Sequence, residues 1–200
     1  EGEFPVISIT QENRIWMAYP SKGKWKGMSM SIKGNKRSRF SFFENFHEIS
    51  SIQVSPDGKY MCLAGNRNNY SDVFIVNLTN SKIRQITHDW FDDMDPFFSL
   101  SGDSVIFSSN RLPTDTTSDE KTIPDNKRKL NLYKKSIEEP TKRPELLIQS
   151  DGNLVKGRIL KDGTIICLSD ETGTMNVGLF STSRTKPEYL TSSKFNVKDF

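Results

Sequence analysis

Apolar and polar positions alternate along this chain in short bursts, and the bursts recur. Runs of four to seven residues, rich in Ile, Val, Phe and Leu, are separated by clusters of Gly, Asp, Asn, Ser and Pro. That pattern predicts strands and tight turns. No stretch carries the period of a long amphipathic helix. Four segments predict a first strand: Val6–Thr10, Ile49–Val54, Pro96–Leu100 and Leu154–Leu160. Each enters a turn, and a second strand leaves it at Ile15–Ala18, Tyr60–Ala64, Val105–Ser108 and Ile165–Leu168. A third strand follows in "KGMSMSI", "DVFIVNL", "NLYKKSI" and "NVGLFST". "RFSFF", "KIRQIT", "PELLI" and "PEYLT" close the four units.

The units are copies of one another. "SPDGKYMCLAGNR" and "LSGDSVIFSSNR" align without a gap, with Gly58 on Gly102 and Asn66-Arg67 on Asn110-Arg111, an offset of 44. Gly163 takes the turn position in a third copy, 61 residues further on, and Asn13 takes it in a weaker first copy, 45 residues before Gly58. Four antiparallel strands repeated at about 45 residues predict the blade of a β-propeller. The expected architecture is therefore all-β, with four-stranded antiparallel blades over residues 6–44, 49–88, 96–149 and 154–191. "SSKFNVKDF" (192–200) reads as the first strand of a fifth blade, so the expectation for residues 1–200 is a partial propeller whose ring is incomplete. The third unit is longer because of an insertion, residues 112–129, with four acidic and four basic residues; it has little to bury and is expected to be a mobile loop.

These residues carry a resemblance. The Ser-Pro-Asp-Gly turn at 55–58, the Ser-Asn-Arg ending at 109–111, the Asp-hydrophobic third strand at 72–76 and the Ile-Thr close at 86–87 resemble the TolB-type, WD-like propeller repeat. Residues 50–111 match it closely and the flanking units in outline. The first copy lacks Pro-Asp-Gly, and the fourth has Asp170-Glu171 where Asn-Arg would stand. The resemblance implies a non-catalytic scaffold of the bacterial periplasm or cell envelope that binds other envelope proteins. No cofactor is expected. A second reading is the substrate-gating propeller of a prolyl-oligopeptidase-like serine peptidase whose hydrolase domain lies outside these residues.

Composition narrows the chemistry. A net charge of +3 is too small to imply nucleic acid. The basic run at 21–40, with seven Lys or Arg, reads as a solvated outer strand pair rather than a phosphate track. No apolar run approaches the roughly 20 residues of a membrane span. Cys62 and Cys167 sit at equivalent strand positions in different blades and are expected to be free thiols. With two Cys, two His and no CxxC, a zinc site is not expected. No G-x-S-x-G elbow occurs, and His47 and His88 both precede a blade's first strand, so no catalytic residue is assigned.

"HDWFDDMD" (88–95) is the one dense acidic cluster. Its carboxylates would suit calcium better than any other cofactor, yet their spacing is not that of an EF-hand loop, and no metal is assigned. The cluster reads as an interblade turn, with Trp90, Phe91 and Met94 expected in the seam between blades. Strand direction alternates within a blade, so this turn shares a face with the loops after Arg67 and Arg111 and with the 112–129 insertion. Trp90, Phe91, Asp89, Asp92, Asp93, Asp95, Arg67 and Arg111 are the candidate partner-binding residues of that face.

Overall fold

The computed structural model describes residues 4–10, 12–34, 36–67, 70–112, 128–139, 141–183 and 186–199. They form sixteen strands in four separate sheets of four. The first sheet holds β1 (Val6–Ile9), β2 (Arg14–Ser21), β3 (Lys24–Ser31) and β4 (Arg37–Phe40). The second holds β5 (Glu48–Val54), β6 (Tyr60–Asn66), β7 (Ser71–Asn77) and β8 (Ile83–Gln85). In the third are β9 (Asp93–Phe98), β10 (Ser104–Ser109), β11 (Asn131–Ser136) and β12 (Glu145–Ile148). The fourth has β13 (Leu154–Ile159), β14 (Ile165–Ser169), β15 (Asn176–Phe180) and β16 (Glu188–Tyr189). Within each sheet the strands lie in chain order and pair antiparallel. No helix in the described chain is long and apolar enough to cross a membrane.

The turns explain why the strands stop where they do. Gly58, Gly102 and Gly163 have φ between 71° and 85°, the left-handed region that a side chain disfavours. Asn13 holds the same position in the first blade with φ 56°, which Asn tolerates better than most residues. In the second blade Asp57 Oδ1 accepts bonds from Ser55 Oγ (2.7 Å) and the Lys59 amide (3.1 Å), so the Ser-Pro-Asp-Gly turn is satisfied internally.

The core lies between blades. Met61, Leu63, Phe74 and Val76 face the first blade, where Trp16, Trp25, Phe43 and Phe46 meet them. The alternate residues Cys62, Val73 and Ile75 face the third blade, against Phe98, Val105, Phe107 and Tyr133. Phe97, Ile106 and Leu132 then face the fourth, against Leu154, Ile165, Cys167 and Phe180. A blade covered on both faces needs apolar residues at successive positions, which is why β6 and β7 read as continuous apolar runs. The first strands β1, β5, β9 and β13 stand side by side through the series. The described blades follow one another in an open arc and do not close a ring. On the far side of the first blade Ile7 and Ile9 remain exposed.

A repeated bond sets the spacing of blades. The Leu130 amide donates to Asn153 Oδ1 at 3.0 Å, and the Leu154 amide to the Leu130 carbonyl at 2.7 Å. The Met175 amide donates to Asn196 Oδ1 at 2.9 Å, and the Val197 amide to the Met175 carbonyl at 2.9 Å. Residues 192–199 form no strand, but their Asn196-Val197 pair docks on the fourth blade as Asn153-Leu154 docks on the third.

Two of the boundaries that differ from expectation bear on the seams. β4 ends at Phe40, and Phe42 and Phe43 lie in the turn that follows, where the Phe43 ring fills the seam. β9 begins at Asp93 rather than Pro96, because the ladder continues past a bulge: Met94 pairs with Ser108 and Asp93 with Ser109. Half of the acidic cluster therefore belongs to a strand and not to the interblade turn. Residues 113–127, nearly all of the insertion, lie outside the described residues.

Candidate functional site

The seam between the second and third blades is built around Arg111. It follows β10, and its Nη2 donates to both carboxylate oxygens of Asp93, at 2.8 and 2.7 Å. Nη1 lies 3.2 Å from Asp89 Oδ2, and Nε donates to Ser109 Oγ at 2.8 Å. The guanidinium also sits 5.0 Å over the Phe91 ring, 5.6 Å over Phe107 and 5.4 Å over Tyr133, while the Tyr133 hydroxyl donates to the Arg111 carbonyl at 2.8 Å. Three rings and two carboxylates fix one cation. Burial pushes the Asp93 carboxyl up to about 6, against the opposing pull of Arg111.

Asp72, at the start of β7, lies next to this group and is buried too. Its oxygens accept from Gln85 Nε2 (2.9 Å) and Thr87 Oγ1 (3.4 Å), and Thr87 Oγ1 in turn accepts from the Val73 amide at 2.9 Å. Desolvation, followed by the charges of Asp93 and Asp89, raises Asp72 to about 7. The equivalent positions in the next two blades are Asn131 and Asn176, which pair with Ser109 and Ser169 as Asp72 pairs with Gly65. Asn176 Oδ1 accepts from Thr191 Oγ1 at 2.9 Å, so the closing Thr plays the same part in the fourth blade.

The candidate residues divide by exposure. Phe91, Asp93 and Arg111 are buried in the seam, and in this arrangement they present nothing to a partner. Trp90 is the reverse of its expected placement: it is 63% exposed, with its ring edge-on to Tyr70 at 5.5 Å, and does not fill the seam. Met94 is half-buried. The reason is parity. In the link ahead of β9 only one of two adjacent aromatic residues can turn inward, and Phe91 meets Arg111.

Asp89 and Asp92 are partly exposed at the rim, the Asp92 amide donating to Asn110 Oδ1 at 3.0 Å. Asp95 has φ 51° and takes the Lys156 amide on Oδ2 at 3.0 Å, so its carboxylate is engaged in a bond to the next blade. Beside Asp92 a recess of about 300 Å³ opens between β5 and β9, lined by Glu48, Ser50, Asn66, Ser71, Asp92, Met94 and Asp95. Arg67, after β6, packs over Phe46 at 4.2 Å and Phe74 at 4.9 Å. Among the described residues no three His, Cys, Asp or Glu side chains converge to hold a metal ion.

Asp72, Thr87 and Tyr133 belong to this site although the sequence did not single them out as site residues. The signal was the repeat itself: an Asp or Asn opens the third strand in three blades and a Thr closes two of them. Lys135, buried on the same side of β11, carried no such signal.

Four-stranded antiparallel blades joined face to face by aromatic-rich seams define a β-propeller arc whose loop face carries mixed aromatic and charged side chains. No protein family matches the sequence, and no curated protein matches it either. Solved structures do match. TolB from Acinetobacter baumannii superposes with a TM-score of 0.72 at 15% identity, over 97% of this chain and 45% of its own. A putative TolB from Agrobacterium tumefaciens gives 0.70 at 15% identity, over 97% of this chain and 64% of its own. A puromycin-hydrolysing peptidase from Mycobacterium tuberculosis gives 0.65 at 11% identity, over 95% of this chain and 31% of its own. The fold is thus the TolB-type propeller fold. The chain spans less than two thirds of the length of either TolB.

Proposed function

We propose that this chain is a non-catalytic, protein-binding propeller scaffold of the bacterial periplasm or cell envelope, and that its partners are other envelope proteins docking on the loop face of the second and third blades. The observation that carries the reading is the division of labour at residues 89–93. Asp93 and Phe91 lock the link to Arg111 from inside, while Trp90 and Asp92 stand at the surface on that rigid base beside a carboxylate-lined recess. A large aromatic residue held out by a fixed backbone, with charged groups around it, suits an interface anchor. The likeness in fold to TolB supports the envelope setting.

The likeness to a peptidase favours one alternative, a propeller that gates substrate for a prolyl-oligopeptidase-like hydrolase domain. One pair of measurements separates the two. The parent protein, purified whole, is assayed for cleavage of proline-containing peptide anilides, and its Asp92→Asn variant is compared with it for binding of partners crosslinked in the intact envelope. The scaffold reading expects no cleavage and weaker crosslinking by the variant at unchanged thermal stability. Cleavage by the whole protein, or crosslinking that ignores Asp92, defeats it.

A further inference from the structure

The repeat exposes a difference between two equivalent arginines. Gly65, Asn66 and Arg67 lead out of β6 as Ser109, Asn110 and Arg111 lead out of β10. At Arg111 every part of the guanidinium has a partner: Ser109 on Nε, Asp93 on Nη2 and Asp89 on Nη1. The positions equivalent to those three are Gly65, Ile49 and Asn45. Gly65 and Ile49 offer no side-chain acceptor, and Asn45 offers only a neutral one. The rings are kept, since Phe74 stands where Tyr133 stands and Phe46 comes in from the link.

The consequences are visible in the bonding. Arg67 Nε is buried with no hydrogen-bond partner, and so is Asn66 Oδ1, whose counterpart Asn110 Oδ1 accepts the Asp92 amide. Among the described residues no carboxylate pairs with Arg67. Its pKa is lowered by desolvation alone, with no neighbouring acid pulling it back. Arg111 lies fully within its seam, whereas Arg67 is only half-buried. The result is a guanidinium pre-oriented by two aromatic faces and, among the described residues, lacking the anion that its sister arginine holds.

We propose that Arg67 is a receptor for a carboxylate side chain carried by a protein partner. The proposal rests on the reading of this face as a protein-docking surface and names the chemistry of one contact on it. An arginine stacked on rings loses little freedom when its N–H edge meets a planar, bidentate acceptor. A carboxylate fits better than a phosphate or a nucleic acid, because Glu48, Asp92 and Asp95 line the adjoining recess and repel a multiply charged anion. The same recess leaves room for a basic side chain next to the acidic one, so the partner segment would carry both signs.

The test follows the Arg67 Nε–H signal by NMR in the whole chain, with an end-blocked Glu-Lys peptide, its Gln-Lys counterpart and inorganic phosphate as probes. The Glu-Lys peptide is expected to shift that signal saturably and to leave the Arg111 Nε–H signal in place. Arg67→Met is expected to weaken Glu-Lys binding by about tenfold or more, the worth of one charge-assisted pair. Asn45→Asp is the second variant. Asn45 is exposed, so the fold is not at risk, and the new carboxylate stands where Asp89 serves Arg111; it is expected to silence the probe by supplying the missing anion internally. A signal that the Glu-Lys peptide does not move, a Met variant that binds it as well as the parent, or Gln-Lys or phosphate binding as tightly as Glu-Lys would each overturn the proposal. None of these outcomes touches Asp92-dependent crosslinking, so the scaffold reading stands or falls separately.

Discussion

Arg111 Nη2 donates to both oxygens of Asp93, and both residues are enclosed by the seam between the second and third blades. Removing either side of such a pair leaves a buried charge without its counter-ion, which typically costs about 3–5 kcal/mol. Arg111→Met is therefore expected to destabilise the fold by about that amount in chemical denaturation. Asp93→Asn is expected to cost less, because Asp89 still lies 3.2 Å from Nη1. Equal stability of the Met variant and the parent would show that the pair is not what holds this seam.

Asp72 sets the pH dependence. Its folded-state pKa of about 7 stands above the ordinary carboxyl value of 3.8, so between those limits the folded chain holds a proton that the unfolded chain has released. Stability contributed by the neutral carboxyl is full below the unfolded value and is lost as pH rises through the folded one. Thermal unfolding followed from pH 5 to pH 8 is expected to show a falling melting temperature. Asp72→Asn, which places in this blade the residue that two other blades already carry, is expected to flatten much of that slope and to stabilise the chain at pH 8. The remainder belongs to Asp93 and Asp95, which burial raises in the same direction. A variant with the parent's slope would remove Asp72 from the account.

The blades were legible because their signals are local. Gly58, Gly102 and Gly163 mark turns by a backbone requirement that only a few residues meet, and β6 reads as apolar throughout because both of its faces are covered. What the sequence did not separate is the fate of Trp90 and Phe91. Neighbours in a link, they have nearly the same composition signal, and only the position of Arg111, twenty residues away along the chain, decides which one turns inward. The start of β9 was hidden for a related reason. A bulge at Asp95 and Pro96 interrupts the alternation, so Asp93 looks like a turn residue although it pairs with Ser109.

That bulge is tied to the next blade. Asp95 and Lys156 both have left-handed backbone, with φ 51° and 55°, and the Lys156 amide donates to Asp95 Oδ2 at 3.0 Å. Asp95→Ala removes the acceptor and places a residue with less tolerance for positive φ at the bulge, so a loss of about 1–3 kcal/mol is expected. Asp95→Asn keeps an acceptor oxygen and tolerates the backbone. It is expected to lose less than half as much, and a larger loss would mean that the charge, rather than the bond and the backbone, is what matters.

The thiols give a direct check on the seams. Cys62 lies in the seam between the second and third blades and Cys167 in the next, each buried. Burial raises both, Cys167 to about 12, so at neutral pH neither supplies a reactive thiolate. In the folded chain both are expected to resist an aromatic disulfide reagent, and both are expected to react at once when the chain is unfolded without reductant. Rapid labelling of either in the folded chain would mean that its seam is open in solution.

Trp90 and Phe91 together distinguish docking from folding. Phe91 is buried against Arg111, and truncating such a ring typically costs about 3–5 kcal/mol. Phe91→Ala is expected to weaken partner binding only because less of the chain is folded. Trp90 is largely exposed and meets Tyr70 edge-on, so Trp90→Ala is expected to change stability by no more than about 1 kcal/mol. If Trp90 anchors a partner, the same variant should lose roughly tenfold or more in affinity, the range of an interface hot spot. The two measurements must therefore move in opposite order for the two neighbours, stability for Phe91 and affinity for Trp90. Should Trp90→Ala unfold the chain instead, the exposed ring is part of the core after all and the docking surface loses its anchor.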